Sequence, residues 1–224
     1  NAIDLKTAQD LAKELAKAVK SKKAGFIITS QHPQLFSGGG DLKSYSKMLT
    51  KAEGVKVNRA IRDVLNKMGT LPITVVACIE GDAIGGGCEL ALACDRLIVS
   101  ERARFSFRQG KLGLTPGWGG GPRLLTRVKP TVAHDWLRTG RWISAQEAFR
   151  EGLVDEVVPS GETVNSARNY VEHQPHLDPK VLVAIKRLCY PPTLLAKRAD
   201  KDFEALWMGG AHRNALIKFR KAKV

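Results

Sequence analysis

Two glycine-rich turns constrain this chain more than any other feature. Phe36-Ser37-Gly38-Gly39-Gly40-Asp41 and Gly85-Gly86-Gly87-Cys88-Glu89 each stand between an apolar run of strand length and the start of a helix. Glycine reaches backbone angles closed to other residues and lets a ligand approach the main chain closely. Such turns also leave backbone N–H groups pointing outward where the next helix begins. One turn of this kind is common in α/β proteins. Two together can offer two N–H donors to a single oxygen that is becoming negative, an oxyanion hole.

The flanking sequence alternates between strand and helix. Residues 3–20 place Leu5, Ala8, Leu11, Ala12, Leu15 and Val19 on one helical face, with Lys6, Lys13, Lys17 and Lys20 opposite. Residues 24–30 form a short apolar strand and 31–40 a loop, after which Asp41 is placed to cap a short helix running through Met48. Val57, Ile61, Val64, Leu65 and Met68 repeat at helical spacing up to Gly69. Ile73–Ile79 is a β-branched strand, Gly81–Gly87 a glycine turn, and Glu89–Cys94 a short buried helix. Leu97–Ser100 and Arg104–Phe107 are further strands, and beyond Pro130 the pattern is helical except over Val154–Val158. This order predicts an α/β fold with a covered sheet. It divides into a core over 1–160 and a helical C-terminal region over 161–224. The chain starts at Asn1 without a Met or a signal peptide and runs straight into a helical pattern, so one or two strands are expected to be missing ahead of it.

A length of 224 residues suffices for one ordinary domain. Lys and Arg number 36 against 22 Asp and Glu, a net charge of +14. That excess either favours a polyanionic partner, such as a nucleotide-like ligand, nucleic acid or an acidic membrane surface, or is an idle basic surface. No apolar run approaches the ~18 residues that a membrane-spanning helix needs. Cys78, Cys88, Cys94 and Cys189 contain no CxxC pair, which predicts buried free thiols rather than a disulfide framework. The chain lacks a GxxxxGK[ST] loop, a GxSxG elbow and an HExxH pair. Its five histidines, His32, His134, His173, His176 and His212, form no ligand cluster, so no catalytic metal is expected.

Four segments taken together resemble the enoyl-CoA hydratase/isomerase (crotonase) superfamily: Phe36–Lys43, Gly81–Asp95, Leu112–Leu124 and Ile143–Pro159. The likeness runs from Asn1 almost to the C-terminus. It implies a crotonase (ClpP/crotonase-like) fold of ββα units with a helical C-terminal trimerisation region. It also implies a CoA thioester as substrate, with CoA entering as part of that substrate and no metal. On this resemblance the backbone N–H groups of Gly40 and Gly86 form the oxyanion hole. Lys43, with the backbone at Ser37 and Gly38, falls where the family binds the adenine and phosphates of CoA. Homotrimers or hexamers are implied, with Trp207, Leu216, Ile217 and Phe219 suited to a neighbouring subunit and Lys218, Arg220 and Lys221 to CoA phosphates. A cytoplasmic location, or the mitochondrial matrix in a eukaryote, follows, with no membrane partner.

The family's hydratases use two glutamates. The first matches Glu89; the second falls on Gln109. A carboxylate can hold and release a proton near neutral pH, whereas an amide can only orient a water or an oxygen. Hydratase-like lyase chemistry in fatty-acid or related acyl-CoA metabolism is the leading expectation. The alternatives are a malonyl-type decarboxylase, which needs no base, or an isomerase, which needs one carboxylate. Trp118 is similar to a tryptophan of the ethylmalonyl-CoA decarboxylases, or is simply a core aromatic. For Glu89 the plainer alternative is a helix-start carboxylate satisfied by amides, and for Lys43 a solvated lysine. Asp95 reads as a cap. RNA binding is a rival from another class, because the four-lysine row resembles that of an RNA-binding hydratase homologue, yet no aromatic residues interleave for stacking.

Overall fold

A computed structural model of the chain describes residues 1–48, 50–189 and 194–221. Strand β1 (Ala2–Ile3) and helix α1 (Leu5–Lys20) come first, then β2 (Gly25–Ile28), β3 (Leu35–Ser37), β4 (Gly39–Gly40), α2 (Leu42–Tyr45) and α3 (Lys51–Met68). Strands β5 (Thr74–Ile79) and β6 (Asp82–Ile84) lead into α4 (Gly86–Leu92), followed by β7 (Arg96–Ser100), β8 (Arg104–Ser106) and a 3₁₀ turn at Arg108–Leu112. Next are α5 (Gly120–Leu125), α6 (Pro130–Thr139), β9 (Ile143–Ser144), α7 (Ala145–Arg150) and β10 (Glu156–Val158). Helices α8 (Thr163–Glu172), α9 (Pro179–Cys189), α10 (Leu194–Leu206) and α11 (Gly210–Lys221) follow.

One sheet is wholly parallel, in the order β10-β7-β5-β2. A second runs β3-β6-β8-β9, parallel except for the β8–β9 pair, and β1 pairs with β4 alone. The two-residue period of a strand explains why the parallel sheet is covered on both sides. On β5, Val75, Ala77 and Ile79 enter the main core, while Val76 and Cys78 pack with Ile98 against Ala167 of α8. Cys78, Cys88 and Cys94 are buried free thiols, and Cys189 is a free thiol at the surface.

Caps set several helix starts. Asp41 caps α2 by accepting the Lys43 N–H, as expected. Helix α3 begins well before its apolar repeat because Thr50 and Glu53 form a reciprocal capping box. Asp95 accepts the Val75 N–H at 2.7 Å and pairs with Lys186 of α9, a buried cation that also donates to the carbonyls of Met68, Leu71 and Ile73. This cluster clamps α9 to the end of α3.

Three details differ from the sequence reading. The 31–40 loop contains β3 and β4, and the 81–87 turn contains β6. These are strands of two or three residues whose partners lie far along the chain, so local pattern does not reveal them. Trp207 and Leu216 are not offered to a neighbour: both are buried within the chain, Trp207 against Tyr45 and Phe203, while Ile217 is exposed. Among the described residues no helix is long and apolar enough to cross a membrane. On α1, Lys6 and Lys13 both pair with Asp10, and Lys17 pairs with Glu14.

Candidate active site

The two glycine turns meet main chain to main chain. A Cβ placed on Gly39 would lie 2.6 Å from the Gly86 nitrogen, and one on Gly87 would lie 2.4 Å from the Ser37 carbonyl oxygen. No side chain fits between them. Gly39, at φ +82°, and Gly85, at φ +54°, also adopt left-handed backbone that glycine accepts most readily. Ser37 holds the first turn: its hydroxyl donates to the Asn1 carbonyl and accepts the Gly39 N–H. The second is tied to β8 by the Gly85 N–H, which donates to the Ser106 carbonyl at 2.8 Å.

Gly40 and Gly86 line one cavity of about 320 Å³, together with Gly38, Glu89, Gln109 and Trp118. Gly86 is the first residue of α4, so its N–H has no acceptor within the helix. Glu89 follows one turn later and is only 2% exposed. Its Oε2 accepts the N–H groups of Trp118 at 2.7 Å and Gly120 at 2.9 Å. Its Oε1 accepts from Gln109 Nε2 at 3.0 Å and the Gly117 N–H at 3.3 Å. The amides that hold this carboxylate therefore come mainly from the Gly117–Gly120 loop, not from its own helix. Burial pushes the Glu89 carboxyl above its usual pKa, against the pull of these donors and of the Arg123 charge.

Trp118 is both a core aromatic and a wall of the cavity. It is 3% exposed, its indole donates to Asn58 Oδ1 at 2.8 Å, and its ring packs over Gly86, where a Cβ would lie 2.3 Å away. Gln109 spends its amide nitrogen on Glu89, and its buried oxygen has no partner among the described residues. Lys43 is exposed, and neither it nor the buried Ser37 lines the cavity.

Sequence reading missed Tyr45, Asn58, Thr115, Phe203, Trp207 and His212, which also line this space. One of them left a trace. Asn58 lies on the same helical stripe as Gly54, Ile61, Leu65 and Met68, all buried on α3, and a polar residue on an apolar stripe marks a buried hydrogen-bonding duty. Chemically, the site offers one shielded carboxyl that favours proton retention and two main-chain turns facing the same volume. Asn58, Gln109 and Thr115 add neutral groups that can bind oxygen but cannot exchange a proton at neutral pH, and Arg108 and Lys111 bring two cations to the lining.

The fold is that of the enoyl-CoA hydratases. The enoyl-CoA hydratase of Bacillus halodurans superposes with a TM-score of 0.85 at 22% identity, covering 97% of this chain and 90% of that one. The enoyl-CoA hydratase of Bacillus anthracis gives 0.78 at 28% identity, over 99% of this chain and 88% of the other. Residues 1–205 match the family described as Enoyl-CoA hydratase/isomerase, and the chain belongs to that family. Among relatives, the mitochondrial methylglutaconyl-CoA hydratase of Mus musculus is 35% identical over 165 residues, 71% of this chain and 52% of that protein. The carnitinyl-CoA dehydratase of Proteus mirabilis (strain HI4320) is 33% identical over 189 residues, 84% of this chain and 72% of that protein. The chain spans about half the length of the mammalian hydratases it matches.

Proposed function

We propose that this chain processes an acyl-CoA thioester by stabilising its enolate, with hydration across the C2=C3 bond, or its reverse, as the reaction. The observation that carries this is the placement of Glu89 in the same cavity as Gly40 and Gly86. In this reading the N–H groups of Gly40 and Gly86 receive the thioester oxygen as it becomes negative. Glu89, raised in pKa by burial, exchanges the proton at the reacting carbon. Gln109 orients the water through its free amide oxygen, which leaves Glu89 to both take and return the proton. Gly38 at the cavity mouth and the exposed Lys43 serve the CoA phosphates, a role that suits a chain of net charge +14. Assembly as a homotrimer or paired trimers belongs to the same reading, and the exposed Val181, Ile185 and Leu188 along α9 support it. The acid partners already paired with Lys6, Lys13 and Lys17 weigh against an RNA-binding row.

A spectrophotometric panel of crotonyl-CoA, a 3-enoyl-CoA and ethylmalonyl-CoA tests this reading. Wild type is expected to consume crotonyl-CoA, and Glu89→Gln to slow it by about 10²–10⁴, the usual worth of a positioned acid–base group. If crotonyl-CoA is left at the uncatalysed rate while ethylmalonyl-CoA or the 3-enoyl-CoA turns over, the decarboxylase or isomerase reading replaces hydration.

A further inference from the structure

The cavity carries more unsatisfied polar atoms than the chemistry above uses. Four of its lining residues, Gln109, Thr115, Trp207 and His212, have a buried polar atom without a partner among the described residues: Gln109 Oε1, Thr115 Oγ1, Trp207 Nε1 and His212 Nε2. Folded chains leave few such atoms, because each forfeits its hydration without recompense. Trp207 Nε1 lies against Gly54 of α3, and the other three, on the lining of one cavity, point to a ligand that completes them.

Their roles are fixed by what surrounds them. His212, in the first turn of α11, is 1% exposed and lies against Trp207, with ring centroids 4.4 Å apart. Its Nδ1 accepts the Met208 N–H at 3.0 Å, so the ring proton sits on Nε2 and that atom is a donor. Burial pushes the imidazole below its usual pKa, which keeps it neutral. Gln109 has committed its NH₂ to Glu89, so its oxygen is an acceptor. Thr115 can act either way. Helix α11 is seated directly on the segment carrying Gln109 and Thr115: a Cβ on Gly113 would lie 2.8 Å from the His212 main-chain nitrogen.

We propose, building on the acyl-CoA reading, that the substrate's acyl chain carries a hydroxyl that accepts the Nε2–H of His212 and donates to Gln109 Oε1 or Thr115 Oγ1. His212 is thus a specificity residue for an oxygenated acyl chain over a plain alkyl one. A hydroxyl is the group that meets a donor and an acceptor at once. A carboxylate would leave Gln109 Oε1 unmet and add a second negative charge to the cavity that holds Glu89. Of the two lining cations, Arg108 donates to Ser106 Oγ and lies over Trp142, and Lys111 is an exposed side chain whose Cε packs beside Gly140. Sites built to hydrogen-bond a substrate hydroxyl discriminate strongly against analogues that lack it.

The test is calorimetric binding of saturated thioesters, which have no double bond to react. The set is butyryl-CoA and valeryl-CoA, then 2-hydroxybutyryl-, 4-hydroxybutyryl- and 5-hydroxyvaleryl-CoA, with glutaryl-CoA as the carboxylate comparator. At least one hydroxyacyl-CoA is expected to bind wild type about tenfold more tightly than its unsubstituted parent, the worth of one or two well-made hydrogen bonds. His212→Asn can still accept the Met208 N–H but does not reach as far as Nε2, and should bring that ratio to near one. His212→Gln restores a donor near the Nε2 position and should recover part of it, and circular dichroism checks that both variants fold. Equal affinity for every hydroxyacyl-CoA and its parent overturns the proposal, as does a preference that survives in His212→Asn or a preference for glutaryl-CoA. If the unsubstituted acyl-CoAs themselves fail to bind wild type, the thioester reading falls and the proposal with it, a result distinct from a lost hydroxyl preference.

Discussion

Glu89 and Lys186 are both buried ionisable residues, 2% and 4% exposed, yet the fold treats them in opposite ways. Lys186 meets a countercharge, Asp95 at 2.7 Å, and gives its other hydrogens to carbonyls at the end of α3 and the start of the sheet. Among the described residues Glu89 pairs with no countercharge. Neutral N–H donors hold it, and Arg123, whose charge favours the ionised form, donates instead to the Trp118 carbonyl and Asn66. A paired charge sealed in the core fastens elements together. An unpaired carboxyl whose pKa is lifted by burial, beside a cavity, is poised to change its proton. The difference separates architecture from chemistry among residues equally hidden from water.

The sharpest attack on that comparison is Lys186→Met. Removing one partner of a buried pair leaves Asp95 without its countercharge and takes a donor from three carbonyls, and typically costs about 3–5 kcal/mol. Denaturant unfolding followed by circular dichroism should show a loss of that size, while turnover by the protein that remains folded stays close to wild type. A small stability change, or a kcat that falls in step with Glu89 variants, would erase the distinction between the two sites.

Gly86→Ala probes the catalytic half. The φ of Gly86 is not positive, so the backbone tolerates alanine; the added methyl instead meets the Trp118 ring, which Asn58 anchors. Either the ring or the turn must move, and the oxyanion donor with it. A loss of about 10²–10³ in kcat/KM is expected, as for other lost oxyanion donors. Steady-state kinetics on crotonyl-CoA reads it, and a wild-type rate would mean that the Gly86 N–H does not touch the developing charge.

The architecture was legible where local rules suffice. The β-branched run that forms β5, the Asp41 cap and the helix carrying Glu89 are all visible in neighbouring residues. The companions of Glu89 were legible only in part. Gln109 and Trp118 came from family spacing, and the Gly117 and Gly120 amides lie in the family-like segment Leu112–Leu124, but nothing in that segment says that its amides turn toward Glu89. His212 stood in a helix whose periodicity shows which residues share a face without showing which face turns inward. Trp207 failed for that reason: an aromatic just past the end of an amphipathic helix looks the same whether it meets a neighbouring subunit or its own Tyr45. Burial against residues more than a hundred positions away leaves no mark in the local sequence.

Gln109→Glu is the finest test, because it adds a charge next to the one Glu89 already holds. The Gln109 NH₂ lies 3.0 Å from Glu89 Oε1 and helps hold its pKa down. A carboxyl at that distance withdraws the donor and brings a like charge, so the two must share a proton and one of them titrates higher still. A raised carboxyl pKa moves the acid limb of kcat/KM upward. The limb should lie above the ordinary glutamate value of 4.5 in wild type and shift further toward neutral pH in the variant. With two proton carriers in place of one, hydration of crotonyl-CoA at neutral pH should rise by about tenfold, the low end of what an acid–base group contributes. An unmoved pH profile would mean that residue 109 does not face the carboxyl during turnover, and Glu89 would then act without a partner even when one is supplied.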